Sequence, residues 1–282
     1  MKFATSLSAL AAGLVLAQPA LAFDYQHVRN ATAKISYGGS TFLVDPYLAA
    51  KGIYPGFEGT LNSQLRNPLI DMSVPADELL KGVDAVIVTH THDDHWDKAA
   101  QELLPKNLPI FVQNPGDAKT IRAQGFTDVR VMGRNTPFGK VRLSKTGGQH
   151  GTDQMYSMPQ LAERLGDAMG VVMQADSEKT LYIVGDTLWN SHVETALQQY
   201  KPQVVVMNTG YARIEGLEGG IIMGTPDVKR MVQAVSKAQV ITVHMDAVNH
   251  ATVSSEQMRD FVKKQKLDKQ VFVPKTGEVL KF

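Results

Sequence analysis

The sequence predicts an α/β fold in which two mixed β-sheets pack on each other and helices cover their outer faces. Short runs rich in β-branched residues recur along the chain, and most are bounded by Gly, Pro, Asn or Asp, as strands are. Segments with helical periodicity lie between the later runs. Strands therefore come first as a meander and then alternate with helices, an order that a four-layer αββα sandwich satisfies.

The strands are predicted from β-branched runs between turn-forming residues. These runs are Ala33–Tyr37, Thr41–Asp45, Ala85–Thr89, Pro109–Val112, Asp128–Met132, Lys140–Ser144, Gly170–Gln174, Leu181–Val184, Val204–Asn208, Val240–Val243 and Val271–Pro274. The early runs follow one another as strands joined by hairpins do, so we expect mixed sheets.

Helices are predicted where apolar residues recur at helical spacing. In Pro226–Val235 they fall on one stripe, with Thr225 as the expected N-cap and Pro226 at the first helical position. The other expected helices are Asp97–Leu104, Gly116–Gln124, Ser191–Tyr200 and Ser254–Lys264.

Two segments, residues 46–76 and Thr152–Asp167, show no regular pattern. The first is rich in Pro, Gly and Asn and also carries Tyr47, Tyr54 and Phe57. Long irregular segments in a compact domain are usually functional or disordered. We expect both to be loops packed near a site, with surface decoration as the alternative.

The first 22 residues have the pattern of a secretory signal peptide. Lys2 supplies the positive charge, Leu7–Ala17 the apolar region and Ala20-Leu21-Ala22 a small-x-small cleavage site. We therefore expect cleavage after Ala22, export to the periplasm or secretion, and one mature domain over residues 23–282. An uncleaved anchor helix is disfavoured because the apolar stretch is shorter than the ~20 residues that span a bilayer.

Charge and composition exclude several kinds of partner. Loss of Lys2 from the 29 basic residues leaves 28 against 28 acidic ones, so the mature chain has no electrostatic footprint for nucleic acid, and we expect a small-molecule substrate. No apolar stretch of the mature chain is long enough for stable membrane insertion. The absence of Cys excludes a thiolate nucleophile and leaves His, Asp and Glu as metal ligands.

The most informative motif is His90-Thr91-His92-Asp93-Asp94-His95, which directly follows the apolar run Val86–Thr89. Residues at i and i+2 of an extended chain point to the same side, so His90 and His92 can hold one ion. Asp94 and His95 lie where the chain turns and can reach a second ion. Imidazole and carboxylate suit zinc or a similar divalent metal, and metal-assisted hydrolysis becomes the leading hypothesis.

Further polar residues come where other predicted strands meet loops. His150 follows one strand within a Gly-rich segment, Asp186 follows Leu181–Val184, and His244 ends another apolar run. A carboxylate at the position of Asp186 has two oxygens and can bridge two ions. His250 is a rival to His244, but it lies in a polar turn; His192 and His27 are expected to serve the surface or packing.

The His-rich motif resembles the signature of the metallo-β-lactamase superfamily, and the order of His150, Asp186 and His244 agrees with it. This resemblance implies the metallo-β-lactamase fold. The segment Gly38–Pro46, which ends in Asp45-Pro46, resembles the corresponding segment in the branch of the superfamily that includes ascorbate-6-phosphate lactonases and N-acyl-phosphatidylethanolamine phospholipases.

The resemblance implies two metal sites joined by a bridging carboxylate. His90, His92 and His150 would bind one ion, Asp94, His95 and His244 the other, and Asp186 would bridge them. Asp45 would accept the second N–H of a ligand imidazole. The ions would be Zn²⁺ by ligand type, and Mn²⁺ or Fe fits the same ligands.

The expected reaction is attack by a metal-bound hydroxide on a carbonyl or phosphorus centre, with Asp94 guiding the proton. Tyr211 follows an apolar strand and is expected to hydrogen-bond the substrate, unless it packs under the following glycines. An ester, lactone or phosphodiester is the expected substrate. The alternatives are β-lactam hydrolysis, which the acid at Asp186 and the lack of Cys disfavour, and a non-catalytic metal- or ligand-binding role, which the complete ligand set disfavours.

Overall fold

The chain is described by a computed structural model that covers residues 23–176 and 178–282. The predicted signal peptide, residues 1–22, lies outside the described residues. The described part contains fourteen strands and eight helices in an αββα sandwich, which confirms the predicted fold class. Among its helices, none combines the length and the apolar character that crossing a membrane requires.

The first sheet is mixed and has seven strands. They are β1 (Asp24–Arg29), β2 (Thr32–Tyr37), β3 (Ser40–Val44), β4 (Ala85–Val88), β5 (Ile110–Val112), β6 (Val129–Val131) and β14 (Val279–Lys281), in the spatial order β14-β1-β2-β3-β4-β5-β6. The strands from β14 to β3 pair antiparallel, and those from β3 to β6 pair parallel.

The second sheet has the same mixed character. It contains β7 (Thr136–Phe138), β8 (Val141–Thr146), β9 (Gly170–Gln174), β10 (Leu181–Ile183), β11 (Val204–Asn208), β12 (Gln239–Val243) and β13 (Val271–Phe272), in the order β13-β12-β11-β10-β9-β8-β7. The strands from β7 to β10 pair antiparallel, and those from β10 to β13 pair parallel.

Helices cover both outer faces. They are α1 (Ala76–Leu80), α2 (Lys98–Leu103), α3 (Pro115–Ala123), α4 (Asp153–Tyr156), α5 (Pro159–Leu165), α6 (Ser191–Tyr200), α7 (Thr225–Ala234) and α8 (Ser255–Lys264). The helices α1 to α3 pack on the first sheet, and α6 to α8 pack on the second.

Alternation along the strands separates the layers. On β4, Ala85 and Ile87 face the core between the two sheets, whereas Val86 and Val88 pack under the outer helices. This is the two-residue period of a strand whose two faces are both covered, and it explains why the run contains only apolar residues.

Several elements differ from the sequence-based prediction. The strands β1, β7 and β14 were not predicted, because β1 carries polar residues between its buried ones and β7 and β14 are short edge strands. The prediction of an irregular Thr152–Asp167 was wrong, since α4 and α5 lie there. Thr225 is the first residue of α7 rather than its N-cap, which is Gly224.

Residues 46–75 contain two isolated β-bridges but no longer strand and no helix, and one buried cation holds this segment in place. Arg29, at the end of β1, is fully buried. Its Nη2 donates to the carbonyl oxygens of Tyr47 (2.5 Å) and Ala49 (2.9 Å), and its Nη1 donates to that of Ile70 (3.0 Å). Arg29 therefore joins both ends of the segment to the first sheet.

We expect Arg29→Met to lower the free energy of unfolding by about 3 kcal/mol, because three backbone carbonyls lose a donor. The matched control is Arg66→Met. Arg66 also donates to two carbonyls, those of Gly52 and Ile53, but it is exposed, and its loss should change stability by about 0.5 kcal/mol or less. Urea unfolding followed by circular dichroism measures both. Equal losses of unfolding free energy in the two variants would show that the buried hydrogen bonds of Arg29 stabilise the protein no more than the exposed ones of Arg66.

Candidate metal centre

The predicted metal ligands come from strand ends that meet at one edge of the sandwich. His90 follows β4, His150 follows β8, Asp186 follows β10 and His244 follows β12. Parallel strands of one sheet place their carboxyl ends together, as β10 and β12 do, and the end of β4 in the other sheet meets them at the same site. Asp45 follows β3 on the same edge.

The His-rich motif turns directly after the strand. The amides of His95 and Trp96 both donate to the carbonyl of His92 at 2.9 Å, so the chain reverses there. His90, Asp94 and His95 are buried, His92 is half-buried and Asp93 is exposed. The turn therefore carries Asp94 and His95 inward while leaving Asp93 in solvent.

Asp45 fixes the orientation of His95. One carboxylate oxygen of Asp45 accepts from the backbone N–H of Thr89 (2.7 Å). The other accepts from the Thr89 hydroxyl (2.8 Å) and from Nδ1 of His95 (2.8 Å). Because a carboxylate accepts, Nδ1 carries a proton, and Nε2 is the nitrogen that faces the site and would bind a metal ion.

Asp186 lies at the centre of the cluster. Its Oδ2 is 3.2 Å from Nε2 of His95, 3.5 Å from Nε2 of His244, 3.7 Å from Nε2 of His150 and 4.0 Å from Nε2 of His90. Its Oδ1 accepts from the Asn208 amide at 2.5 Å. One oxygen is thus held by the protein, and the other faces four imidazoles.

The turn into Asp186 requires the preceding glycine. Gly185 has φ +76°, and a Cβ at this position would lie 2.3 Å from the carbonyl oxygen of Met169. Only glycine combines this backbone conformation with such a close approach.

His244 makes two close contacts within the cluster. Nε2 of His244 lies 3.1 Å from Nε2 of His95 and 3.2 Å from Oδ2 of Asp94. The Asn30 amide donates to the same Asp94 oxygen at 3.2 Å. Two imidazole nitrogens and one carboxylate oxygen therefore converge on one point.

The remaining imidazoles are arranged around a second point. Nδ1 of His150 donates to the carbonyl of Ile221 at 2.9 Å, which leaves Nε2 free to face Asp186. Nε2 of His90 is buried and has no hydrogen-bond partner among the described residues. His92 contacts the carbonyl oxygen of Arg164 through Nε2 at 3.0 Å.

Burial and charge move the pKa values in opposite directions within the cluster. Burial lowers the pKa of His90 well below its usual value and that of His150 to about 4, so both are neutral at physiological pH. Burial also acts to lower the pKa of His95, but the carboxylates of Asp186 and Asp45 raise it well above its usual value. Burial acts to raise the pKa of Asp186, but His244 and His95 hold it well below its usual range. The carboxylate is therefore ionised.

The donor atoms fit divalent metal ions. Three groups of side chains each have ligand atoms within 4.8 Å of one another; they are His90, His92 and His150, then His90, His95 and Asp186, and finally Asp94, His95 and His244. The first and third correspond to the two ligand sets that the resemblance implied, and Asp186 lies between them. Imidazole nitrogens, ionised carboxylates and an unpartnered buried nitrogen are the donor set of such a centre.

The other candidate residues lie elsewhere. A Cβ added to Gly220 or Gly224 would meet the ring of Tyr211 at 2.7–2.9 Å, so this ring packs on the two glycines; Tyr211 is not among the residues that line the cavity described below. Its placement favours the packing interpretation over a hydrogen bond to the substrate. His192 is exposed at the start of α6.

Three polar residues at the site were missed from the sequence. Asn30 contacts Asp94 and His244, Asn208 contacts Asp186, and Thr89 contacts Asp45. Asn208 and Thr89 were within or beside predicted strands, and a polar residue at the end of an apolar run was the available signal. Asn30 gave no such signal, because it lies in a turn at φ +54° where Asn is common for conformational reasons.

A cavity of about 340 Å³ opens above the cluster. Its floor includes His92, Asp94, His150 and Asp186. Half of the remaining lining residues, which form its walls, are apolar; they are Phe57, Leu161, Leu165, Ile214 and Ile221. Both segments predicted to lie near a site, residues 46–76 and Thr152–Asp167, contribute to these walls.

Comparison with known proteins agrees with this geometry. The family model for the beta-lactamase superfamily domain matches residues 40–245, which span all seven predicted ligands. The UPF0173 protein YddR of Bacillus subtilis is 41% identical over 255 residues, covering 90% of this chain and 98% of the relative.

Two solved structures are closely similar over the whole described fold. The crystal structure of a possible metal-dependent hydrolase from Veillonella parvula has 51% identity and a TM-score of 0.90, covering 91% of this chain and 98% of that one. An isothiocyanate hydrolase from Delia radicum gut bacteria has 41% identity and a TM-score of 0.89, with coverages of 92% and 99%.

These matches confirm the superfamily resemblance but not the narrower one to ascorbate-6-phosphate lactonases and N-acyl-phosphatidylethanolamine phospholipases. UPF0173 includes proteins named metal-dependent hydrolases. The chain is therefore an enzyme that belongs to UPF0173, a family of metal-dependent hydrolases within the metallo-β-lactamase superfamily.

Proposed function

We propose that the protein hydrolyses an isothiocyanate at a centre of two divalent metal ions. The observation that carries the proposal is the position of the buried His and Asp cluster at the floor of a small cavity whose walls include five apolar side chains. The 41% identical isothiocyanate hydrolase, matched over nearly the full length of both chains, supports this choice of substrate.

The reaction adds one water to the central carbon of R–N=C=S. The water oxygen forms a bond to that carbon, and a proton moves to nitrogen, giving a thiocarbamic acid. The C–N bond then breaks as the nitrogen takes the second proton. The products are the amine R–NH₂ and carbonyl sulfide, so that all atoms balance without an oxidant or reductant.

The chain supplies the candidate metal ligands, their orientation and the cavity above them. His90, His92 and His150 would hold one ion and Asp94, His95 and His244 the other, with Asp186 between them. When bound, such ions lower the pKa of a water and polarise an electrophile. Asp94 lines the cavity and is the residue that we propose orients the attacking water, since Asn30 holds its Oδ2 at 3.2 Å.

The apolar side chains of the walls favour a neutral substrate over a phosphodiester. Arg164 is the cationic side chain among the described lining residues, and its guanidinium donates to the carbonyl of Glu58. Apart from the proposed metal ions, a phosphodiester would therefore meet little positive charge in the cavity. The ester or lactone predicted from the sequence involves the same attack on carbon, and it stays a prediction.

We also propose that the enzyme acts outside the cytoplasm, because residues 1–22 carry the pattern of a cleavable signal peptide. Fractionation of the source cells and N-terminal sequencing of the purified protein test this. We expect an extracytoplasmic protein that begins at Phe23. A cytoplasmic protein that begins at Met1 would contradict the proposal.

The metal centre is tested by stoichiometry. Wild-type protein purified without chelator should contain about two equivalents of zinc, manganese or iron by elemental mass spectrometry. Asp186→Ala should lower both equivalents together, because the same carboxylate faces both ligand sets. His192→Ala, at an exposed position, should keep the wild-type content.

Loss of a single equivalent in Asp186→Ala would refute its bridging role. A wild-type protein that contains no metal and takes up none on titration would refute the metal centre.

The substrate is tested by amine release from methyl, butyl and benzyl isothiocyanate. We expect turnover by the wild type, its loss on chelation with unchanged circular dichroism, and its recovery on adding metal back. His92→Ala should lose at least about 100-fold in kcat/KM, since removing even an outer partner of a metal ligand costs up to that much. His192→Ala is the matched control.

Hydrolysis of p-nitrophenyl esters without hydrolysis of isothiocyanates would refute the proposed substrate but not the assignment as a hydrolase. Retained activity in purified His92→Ala would show that the assigned ligand set is wrong.

A further inference from the structure

His250 is a buried residue of the cavity that does not belong to the candidate metal ligands. It lines the cavity, is 6% exposed, and does not belong to any of the three ligand groups. Its Nδ1 has no hydrogen-bond partner among the described residues. A buried polar atom without a partner is costly, so a cavity-lining imidazole in this state calls for an explanation.

The position of His250 is fixed by its neighbour Asn249. The Asn249 side-chain oxygen accepts from the backbone N–H of Phe57 (3.0 Å) and from the Asn67 amide (2.8 Å). Its side-chain nitrogen donates to the hydroxyl of Thr60 (2.9 Å) and to the carbonyl of Leu61 (2.7 Å). All of the hydrogen-bonding capacity of this buried amide is spent on the irregular segment that forms one wall.

Two further contacts hold the His250 ring and backbone. The ring meets Phe57 edge to face, with centroids 5.1 Å apart and planes at 83°. The His250 carbonyl accepts from the backbone N–H of Arg213 at 3.0 Å. The ring thus packs on Phe57, and the backbone of His250 is paired with Arg213.

The chemistry of the ring is that of a neutral hydrogen-bonding group. Burial lowers the pKa of His250 to about 4, so the imidazole is uncharged at physiological pH and carries one N–H. Neutral imidazole can donate to a heteroatom that gains negative charge without bringing a second cation next to the metal ions.

We propose that His250 is a catalytic residue that donates a hydrogen bond to the substrate heteroatom on which negative charge develops, and that Asn249 is its positioning residue. In the proposed reaction, on which this inference rests for its substrate, this atom is the nitrogen or sulfur of the isothiocyanate. The assignment also separates the roles of the two histidines near the end of β12, since His244 joins the ligand cluster and His250 faces the substrate.

The test compares His250→Ala, His250→Gln and the control His192→Ala in enzyme purified with its native metal. We expect His250→Ala to keep the wild-type metal content but to lose about 100-fold in kcat, the usual cost of one lost donor to developing charge. His250→Gln keeps an N–H donor and should recover at least tenfold of that loss. His192→Ala should match the wild type.

A second readout does not depend on turnover. N-benzylthiourea, a stable neutral analogue, is titrated into each protein by calorimetry. We expect its Kd to rise about tenfold in His250→Ala and less in His250→Gln. If the wild type binds the analogue in this way but releases no amine from isothiocyanates, the proposed function fails and the role of His250 as a ligand-contacting donor stands.

Asn249→Asp tests the positioning role. This variant keeps both acceptor contacts and loses the two donor contacts, so KM should rise more than kcat falls. Asn62→Asp is the matched control, because exposed Asn62 makes a single contact to the Asn249 carbonyl. Equal effects of the two variants would overturn the role of Asn249.

Any one of three results would overturn the role of His250. A lower metal content in His250→Ala would make it a ligand instead. Unchanged kcat and unchanged Kd in a folded His250→Ala protein, or no binding of the analogue by the wild type, would remove it from the substrate site.

Discussion

Burial of negative charge is the constraint on which this edge of the sandwich depends. Asp45, Asp94 and Asp186 are almost fully buried within one cluster, and a buried carboxylate is costly unless it is paired. Each one therefore meets polar groups from a different strand end or turn. A central strand such as β4 is free to be apolar on both faces because the polar residues of the cluster lie where the strands end.

The sequence predicted those parts of the molecule in which one residue type carries one physical role. Runs such as Val204–Asn208 were predicted with their observed bounds because β-branched residues pack on both faces of a central strand. The prediction missed β7, because its central residue is Pro137 and proline within a short run argues against a strand except at the edge of a sheet. It also missed Asn30, since a single amide that hydrogen-bonds a candidate metal ligand produces no periodic pattern in the sequence.

The floor and the walls of the cavity have different origins. The floor consists of residues at strand ends, whose positions follow from the pairing of the sheets. The walls consist of side chains from residues 46–76, from α5 and from the loops after β11. Pattern-based prediction placed the ligands at the floor but gave no detail of the walls, because their geometry depends on single contacts such as those of Asn249.

The anchoring of the irregular segment has a consequence for how the family can diversify. Arg29 holds its two ends, and Asn249 holds its middle, all through backbone or side-chain hydrogen bonds that do not involve the strands of the ligand cluster. Since loop length costs little free energy once the ends are fixed, this segment can vary in length and sequence while the strands that carry the ligands stay the same, and the shape of one cavity wall would vary with it.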